Sequence, residues 1–233
     1  ADFDRDGTID MHITNFRNDS ANLYMQTAPG LFSDLAVRYG IDRYSDPFVG
    51  FGSKAFDVDR NGWQDLIVTN GDIFDVRDRG EEYFQMPPQM MMNLGNRFEL
   101  AEVDDDSGYW QDLYLGRTTV TLDFDRDGAI DVLIGHMEKS TALLRNETQT
   151  DGNWIQIELV GTESERDAIG TRVVVHAGGE EFTHWVTAGD GYFCTDEPVG
   201  DFGLGIDREV ESVDVFWPNL QKQTFRNLQD GRR

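Results

Sequence analysis

Residues 123–134 read Asp-Phe-Asp-Arg-Asp-Gly-Ala-Ile-Asp-Val-Leu-Ile and form the most informative segment of the chain. The first nine residues place aspartate at the first, third, fifth and ninth places and glycine at the sixth, and an apolar run follows. Clustered carboxylates repel each other by roughly a few kcal/mol per close pair at an effective dielectric near ~20. A hard cation with oxygen ligands offsets this repulsion, and calcium, which takes about six to eight oxygens at flexible geometry, fits best.

The same nine-residue pattern occurs at residues 2–10 (loop one) and 57–65 (loop two), before its third occurrence at 123–131 (loop three). A solvated acidic turn does not require glycine at the sixth place three times, so the repetition favours metal binding. Each loop is predicted to hold one calcium ion through four side chains and the backbone carbonyl of its seventh residue. The predicted ligands are Asp2, Asp4, Asp6, Thr8 and Asp10; Asp57, Asp59, Asn61, Trp63 and Asp65; and Asp123, Asp125, Asp127, Ala129 and Asp131.

Loop two differs from the other two loops at its fifth place, where Asn61 replaces aspartate. This change removes one formal negative charge, which predicts that loop two binds calcium most weakly. The expected role of the ions is structural rather than catalytic.

The EF-hand is the obvious alternative, because its loop opens with a similar pattern. An EF-hand also requires a bidentate glutamate at the twelfth place and helices on both sides. The twelfth places are Ile13, Val68 and Ile134, which are apolar and typical of strands. The EF-hand interpretation therefore fails, and the ninth-place aspartate takes the closing role.

The loops start 55 and 66 residues apart and adjoin short apolar runs. A long-period repeat of short strands predicts a propeller or another radial array. Three units cannot close such a ring, which predicts part of a larger propeller. The chain starts at Ala1, inside loop one, rather than at methionine, and this also predicts a fragment or a processed product. Segment 71–88 carries mixed charge and is predicted to be a surface loop.

The second half of the chain is predicted to be rich in strands. Segments 154–159, 171–176, 182–186 and 213–217 alternate or form short β-branched runs. A hairpin is predicted at Gly178-Gly179. Several short strands without a long helix predict a small antiparallel sandwich or barrel.

The acidic loops resemble the FG-GAP or VCBS-type repeats of calcium-binding β-propellers, because each loop is followed by an apolar strand. Motifs in the second half resemble the ASPIC/UnbV domain, which follows such repeats in the cartilage acidic protein family and its bacterial relatives. Asn61 and Cys194 depart from the family pattern. The motifs are Asn-Trp-Ile-Gln-Ile-Glu-Leu-Val-Gly at 153–161, Arg-Asp-Ala-Ile-Gly at 166–170, Gly-Asp-Gly-Tyr at 189–192, Phe-Gly-Leu-Gly at 202–205 and Val-Asp-Val-Phe-Trp-Pro at 213–218.

The resemblance implies an all-β fold, with a partial β-propeller of about three FG-GAP/VCBS-type blades over residues 1–149. A small antiparallel β-sandwich or barrel, the ASPIC/UnbV domain, follows over residues 153–229. It also implies a calcium-binding protein that is secreted, extracellular or on a cell surface, including the periplasm or outer-membrane surface of a bacterium.

Composition excludes several classes of partner. A net charge of −24 disfavours nucleic acid and anionic lipid, whose phosphates require clustered Lys and Arg. No run of about 18 apolar residues is present, so no transmembrane helix is predicted. Cys194 is the single cysteine, which excludes an internal disulfide and fits either a reducing compartment or a secreted bacterial protein stabilised by calcium.

Three functions follow from these features. The first is a non-enzymatic, calcium-binding extracellular protein that binds protein or glycan partners. The second is a secreted, calcium-dependent enzyme acting on polysaccharide, with its site at the propeller centre or the domain junction. The third is a purely architectural module. No catalytic residue is assigned, because no G-x-S-x-G elbow, phosphate-binding glycine loop or zinc spacing is present.

Two further groups of residues have competing interpretations. His176 and His184 flank the predicted hairpin, and a chance cross-strand pair is favoured over a zinc site. Tyr109-Trp110 and Tyr192-Phe193 lie near glycines and suit either sugar-stacking platforms or ordinary packing, of which packing is favoured.

Overall fold

The computed structural model describes residues 1–75, 77, 84–206 and 208–232. The prediction of an all-β protein is confirmed, with 42% strand and 5% helix. All strand pairs of the five sheets are antiparallel. The strands are β1 (Met11–Ile13), β2 (Asn22–Ala28), β3 (Leu31–Asp34), β4 (Gly50–Phe56), β5 (Asp65–Asn70), β6 (Gln89–Asn93), β7 (Phe98–Leu100), β8 (Gly116–Leu122), β9 (Asp131–His136), β10 (Ala142–Leu144), β11 (Asn153–Glu158), β12 (Arg172–Ala177), β13 (Glu180–Trp185), β14 (Val199–Gly205), β15 (Val210–Phe216) and β16 (Lys222–Arg226).

In the residues that the structure describes, helical structure is confined to short turns. The α-helices α1 (Ala36–Tyr39) and α2 (Asp42–Ser45) follow β3, and a 3₁₀ turn spans Tyr109–Gln111. In the described part of the chain, no helix is long and apolar enough to cross a membrane.

The first half of the chain forms three sheets that pack side by side. The first sheet has the order β1-β2-β3, the second β4-β5-β6-β7 and the third β10-β9-β8. Strand β5 is buried along its whole length, because both of its faces are covered. Leu66 and Val68 face the core shared with the first sheet, and Ile67 faces the core shared with the third sheet. The continuous apolar run after loop two therefore reflects a strand covered on both faces.

Loop two connects β4 to β5, and loop three connects β8 to β9 in the same position. Strand β4 approaches β8 closely at Gly52, where a Cβ would come within 2.5 Å of Thr119 Oγ1 on β8 and 2.8 Å of Thr69 Oγ1 on β5. Three such sheets, each with an acidic loop before its equivalent strand, are compatible with neighbouring blades of a partial propeller.

The second half of the chain forms two sheets around one core. Strands β11 and β14 pair with each other, and the larger sheet has the order β13-β12-β15-β16. Val173, Val175, Val213 and Phe202 are among the buried residues between them. The two sheets therefore pack as a sandwich, here called the C-terminal sandwich. Strands β14 and β16 were not among the predicted segments.

The hairpin predicted at Gly178-Gly179 is confirmed, because it joins β12 to β13 and both glycines have positive φ. The predicted surface loop 71–88 lies partly outside the described residues, at 76 and 78–83. Its first residues are not exposed: Asp72 is buried and forms an ion pair with Arg17. The surface-loop prediction is therefore wrong for Gly71 and Asp72, whereas residues 73–75 and 77 are exposed as predicted.

Candidate metal centres

The three acidic loops share one backbone conformation. The fourth-place arginines Arg5, Arg60 and Arg126 have φ of 59°, 58° and 62°. The sixth-place glycines also have positive φ, at 80°, 90° and 84° for Gly7, Gly62 and Gly128. Glycine adopts this left-handed conformation without steric cost, which explains its recurrence at the sixth place.

The first aspartate of each loop is buried and anchored by the backbone. Its Oδ2 accepts a hydrogen bond from the N–H of the sixth-place glycine, which curls the loop around the carboxylate. The distances are 3.0 Å for Gly7 to Asp2, 2.7 Å for Gly62 to Asp57 and 3.0 Å for Gly128 to Asp123.

The ninth aspartate of each loop uses both carboxylate oxygens to bind backbone N–H groups. One N–H belongs to the second residue of the same loop, and the other belongs to a residue on, or just after, the next strand of the sheet. The aspartate therefore closes the loop and ties it to the sheet. The donors are Phe3 and Gln26 for Asp10, Val58 and Asn93 for Asp65, and Phe124 and Asn146 for Asp131, at 2.7–3.0 Å.

The structure brings three carboxylates together in each loop, with one oxygen of each within 4.8 Å of the others. Among the described residues, Asp10 and Asp131 do not belong to these clusters, whereas Asp65 does. The N–H of the seventh residue donates to the fifth-place side chain at 2.7–2.8 Å in all three loops, so Thr8, Trp63 and Ala129 hold that side chain in the loop. The clusters are Asp2, Asp4 and Asp6; Asp57, Asp59 and Asp65; and Asp123, Asp125 and Asp127.

The carboxylates are electrostatically unfavourable without a cation. Burial raises the pKa of Asp2 to about 7, and the charges of neighbouring aspartates act in the same direction. Burial likewise raises the pKa of Asp65 to about 7 and that of Asp57 well above its ordinary value. The Oδ1 atom of Asp123 is buried and has no hydrogen-bond partner. Clustered oxygen donors, burial and an orphaned oxygen fit a hard divalent cation such as calcium.

Arg145, which follows β10, places a positive charge against the carboxylates of loop three. The Nε atom of Arg145 lies 2.7 Å from Asp125 Oδ2, and its Nη2 lies 3.3 Å from Asp127 Oδ2. The other oxygen of Asp127 accepts the N–H of Ala129. Arg145 therefore occupies the oxygen of Asp127 that the backbone leaves available for an ion.

A cavity of about 580 Å³ lies between the blades and the C-terminal sandwich. Lys54 lines it and donates from Nζ to Asp190 at 2.8 Å and to Asp196 at 2.6 Å. His12 also lines the cavity, with Nδ1 2.7 Å from Ser53 Oγ. Burial lowers the pKa of His12 and of His184 to about 4, so both imidazoles are neutral at pH 7.

The predicted aromatic platforms have different environments. Tyr109 is buried, stacks on Tyr114 and contacts His136 through its hydroxyl at 2.9 Å, so packing is its role. Phe193 is 91% exposed at a turn closed by the bridge between Gly191 and Cys194.

The expectation that His176 and His184 pair across the hairpin is wrong. The glycine turn sets a register in which His176 lies opposite Glu181 and His184 lies opposite Val173. His176 instead contacts Asp214 on the neighbouring strand at 2.9 Å.

Sequence reasoning missed four residues at these sites: Arg145, Gln156, Lys54 and Asp201. Gln156 lies on strand β11 and donates to Asp123 Oδ2 at 3.0 Å. Asp201 pairs with Gln156 in the register of β11 and β14, and burial raises the pKa of Asp201 to about 7. No local pattern marks these residues, because each acts on loops or strands far away in sequence.

Comparison with known proteins supports part of the resemblance. Residues 161–233 match the family model described as ASPIC and UnbV, so this segment carries a domain of this class. The chain is also similar to cartilage acidic protein 1, with 34% identity over 250 residues to the protein of Homo sapiens. Identities to the proteins of Mus musculus and Xenopus tropicalis are 29% and 27%. The matches cover 94–99% of this chain but 33–34% of the relatives, so the chain spans about a third of their length.

Proposed function

We propose that this chain is a calcium-binding, non-enzymatic interaction module of a secreted or cell-surface protein, with blades of the FG-GAP/VCBS type. The observation that carries the proposal is the threefold recurrence of one loop geometry around a cluster of carboxylates. The relatives are named for cartilage and for acidity, which is consistent with an extracellular setting.

The ions are proposed to stabilise the fold rather than to take part in a reaction. Loops two and three join consecutive strands and loop one directly precedes β1. The ninth aspartate of each loop ties it to its own sheet through backbone N–H groups. Calcium at about ten times its dissociation constant adds roughly 1.4 kcal/mol per site. Three sites are significant against a total stability of roughly 5–15 kcal/mol.

Calorimetric titration of the chelator-stripped protein tests this proposal. We expect three calcium ions per chain, and a lower melting temperature in excess chelator than in excess calcium. Magnesium serves as the control, because its stricter octahedral geometry suits such a flexible oxygen cage poorly. An identical melting curve in chelator and in calcium refutes the structural role.

A partner surface is proposed at the turn that presents Phe193. This residue is 91% exposed and has a φ of 54°, a conformation that non-glycine residues rarely adopt. Tyr192 packs edge-on against Phe193 and Phe51 and stiffens the turn. Such a rigid exposed aromatic suits contact with a protein or a sugar ring. A glycan array and a pull-down in calcium, each repeated with Phe193→Ser, test this surface, and equal binding by both proteins contradicts it.

The enzyme alternative places a polysaccharide in the cavity between the blades and the C-terminal sandwich. Glycoside hydrolysis requires one carboxyl group as acid and another as base or nucleophile. Asp190 and Asp196 are both ion-paired with Lys54, so neither has the free environment that this chemistry requires. Asp190 and Asp196 therefore give hydrolysis no support, and binding is the function we propose. Release of reducing sugar from a panel of polysaccharides, lost in Asp196→Asn, would reverse this order.

A further inference from the structure

The C-terminal sandwich packs directly on loops two and three. Gln156 on β11 donates from Nε2 to Asp123 Oδ2 at 3.0 Å, and this contact is buried. The N–H of Gly205, at the end of β14, donates to the carbonyl of Arg60 in loop two at 2.9 Å. The sheet formed by β11 and β14 is therefore joined to both loops through hydrogen bonds.

This interface lies against the carboxylates themselves. Gly203 on β14 lies against Asp57, and a Cβ at this position would collide with Asp57 Oδ2. On β11, the indole of Trp154 lies against Gly128 of loop three and leaves no room for a side chain there. The sandwich thus covers the first aspartate of loop two and the sixth-place glycine of loop three.

The covered oxygens lack full compensation within the protein. Asp123 is 4% exposed and Gln156 is 3% exposed, and Asp123 Oδ1 and Gln156 Oε1 are both buried without a hydrogen-bond partner. Asp201 on β14 places a further carboxylate beside them, and its Oδ1 also has no partner. Covering uncompensated carboxylates with a sheet is strongly unfavourable unless a cation neutralises them.

We propose that cations in loops two and three fasten the C-terminal sandwich to the blades, so that the sheet of β11 and β14 docks on the ion-loaded loops. This inference rests on the proposed calcium binding. Gln156 is a positioning residue: its amide orients the carboxylate of Asp123 from the other domain. Because coupling between two binding events is reciprocal, docking of the sandwich also raises the calcium affinity of loop three.

The single cysteine provides a probe of docking. Cys194 belongs to the C-terminal sandwich, and its Sγ donates to the carbonyl of Thr119 on β8 at 3.1 Å. Glu197, three residues onward, forms an ion pair with Arg126 of loop three at 2.9 Å. Cys194 is half-buried in this contact, so release of the sandwich from loop three frees its thiol from Thr119 and increases its exposure.

The first experiment measures the rate at which Ellman's reagent labels Cys194 in calcium and in chelator. It is run well below the melting temperature of the calcium-free protein, and circular dichroism verifies that the strands remain folded. We expect labelling at least about tenfold faster in chelator. Calcium binding by calorimetry together with an unchanged labelling rate overturns the fastening role and leaves the proposed function standing. Absence of calcium binding refutes the proposed function itself.

The second experiment compares Gln156→Leu with Gln89→Leu. Gln89 is an equally buried glutamine on β6 whose amide binds Asn70 and the carbonyl of Tyr44 and no acidic loop. Loss of a residue that orients a metal ligand costs roughly 10–100-fold in affinity. In Gln156→Leu we therefore expect calcium binding at loop three to weaken at least about tenfold and Cys194 labelling in calcium to accelerate. Gln89→Leu is expected to change neither. Equal effects of the two substitutions overturn the proposal, because they reduce it to general destabilisation.

Discussion

Replacement of Arg145 by glutamine should strengthen calcium binding at loop three. Arg145 contacts Asp125 and Asp127, and it binds the Asp127 oxygen that the N–H of Ala129 leaves available. An incoming calcium ion must break at least the contact with Asp127, and it then experiences the positive charge of the guanidinium nearby. Arg145 therefore acts as a competitor of the ion rather than as its support.

The expected magnitude follows from the exposure of these ion pairs. The Arg145 side chain is 52% exposed, and exposed pairs contribute about 0.2–1 kcal/mol each. Loss of two such contacts, of which at least one competes with the ion, lowers the competition by a modest amount. Since about 1.4 kcal/mol corresponds to a tenfold change in affinity, calcium should bind roughly three- to tenfold more tightly. The gain should shrink at high ionic strength, which screens charges at the surface.

The assay is calorimetric titration in a background in which Asp4→Asn and Asp59→Asn weaken loops one and two. Arg97→Gln is the matched control, because Arg97 is 49% exposed and forms a 2.7 Å pair with Glu99 on β7. The control should leave the calcium affinity unchanged. Weaker binding in Arg145→Gln would refute the reasoning, because it would make Arg145 a residue that orients the ligands.

Three further predictions concern loop two and the cavity. Asn61→Asp restores the fourth carboxylate of loop two, so calorimetry should detect tighter calcium binding there, and an unchanged constant contradicts the expected order. Asp65→Asn replaces an acceptor for two backbone N–H groups and should lower the melting temperature by roughly 3–10 °C even in chelator; an effect seen only in calcium would make Asp65 purely a ligand. The pKa of His12 is lowered to about 4 in the folded protein. As pH falls below 6.5, His12 is therefore protonated in the unfolded chain before it is protonated in the folded protein. The stability present above pH 6.5 is lost towards pH 4 for this reason. In excess calcium, His12→Asn should therefore flatten the fall in melting temperature over this range, and parallel curves would contradict the assignment.

The acidic loops and most of the strands were predictable because their determinants are local. Glycine at the sixth place is required by a positive φ that three separate loops adopt, and the twelfth-place residues Ile13, Val68 and Ile134 all lie in strands. Strand β16, by contrast, spans Lys222–Arg226, where all five residues are exposed. Its sequence has no buried face to create an alternating pattern, so periodicity could not reveal it.

The contacts between sheets were not predictable, because no short-range pattern specifies them. The register of the β12–β13 hairpin separates His176 from His184, although both flank the same turn. Lys54 lies in a strand segment with no distinctive pattern. Its buried ammonium group nevertheless donates hydrogen bonds to two aspartates more than 130 residues away. Gln156 belongs to an alternating strand whose polar face would be expected to contact solvent. This face is instead buried against loop three, because the sandwich packs there.

The fourth-place arginines link the three loops and the C-terminal sandwich into one series. Arg5 of loop one donates to the carbonyl of Gly62 in loop two at 2.9 Å, and Arg60 of loop two donates to the carbonyl of Asp127 in loop three at 3.4 Å. Arg126 of loop three meets Glu197 of the C-terminal sandwich instead. The sandwich therefore receives the contact that a following acidic loop would receive in a longer array. That contact pairs opposite charges and ends on a carboxylate rather than on a carbonyl, at the junction where the repeated blades give way to a different domain.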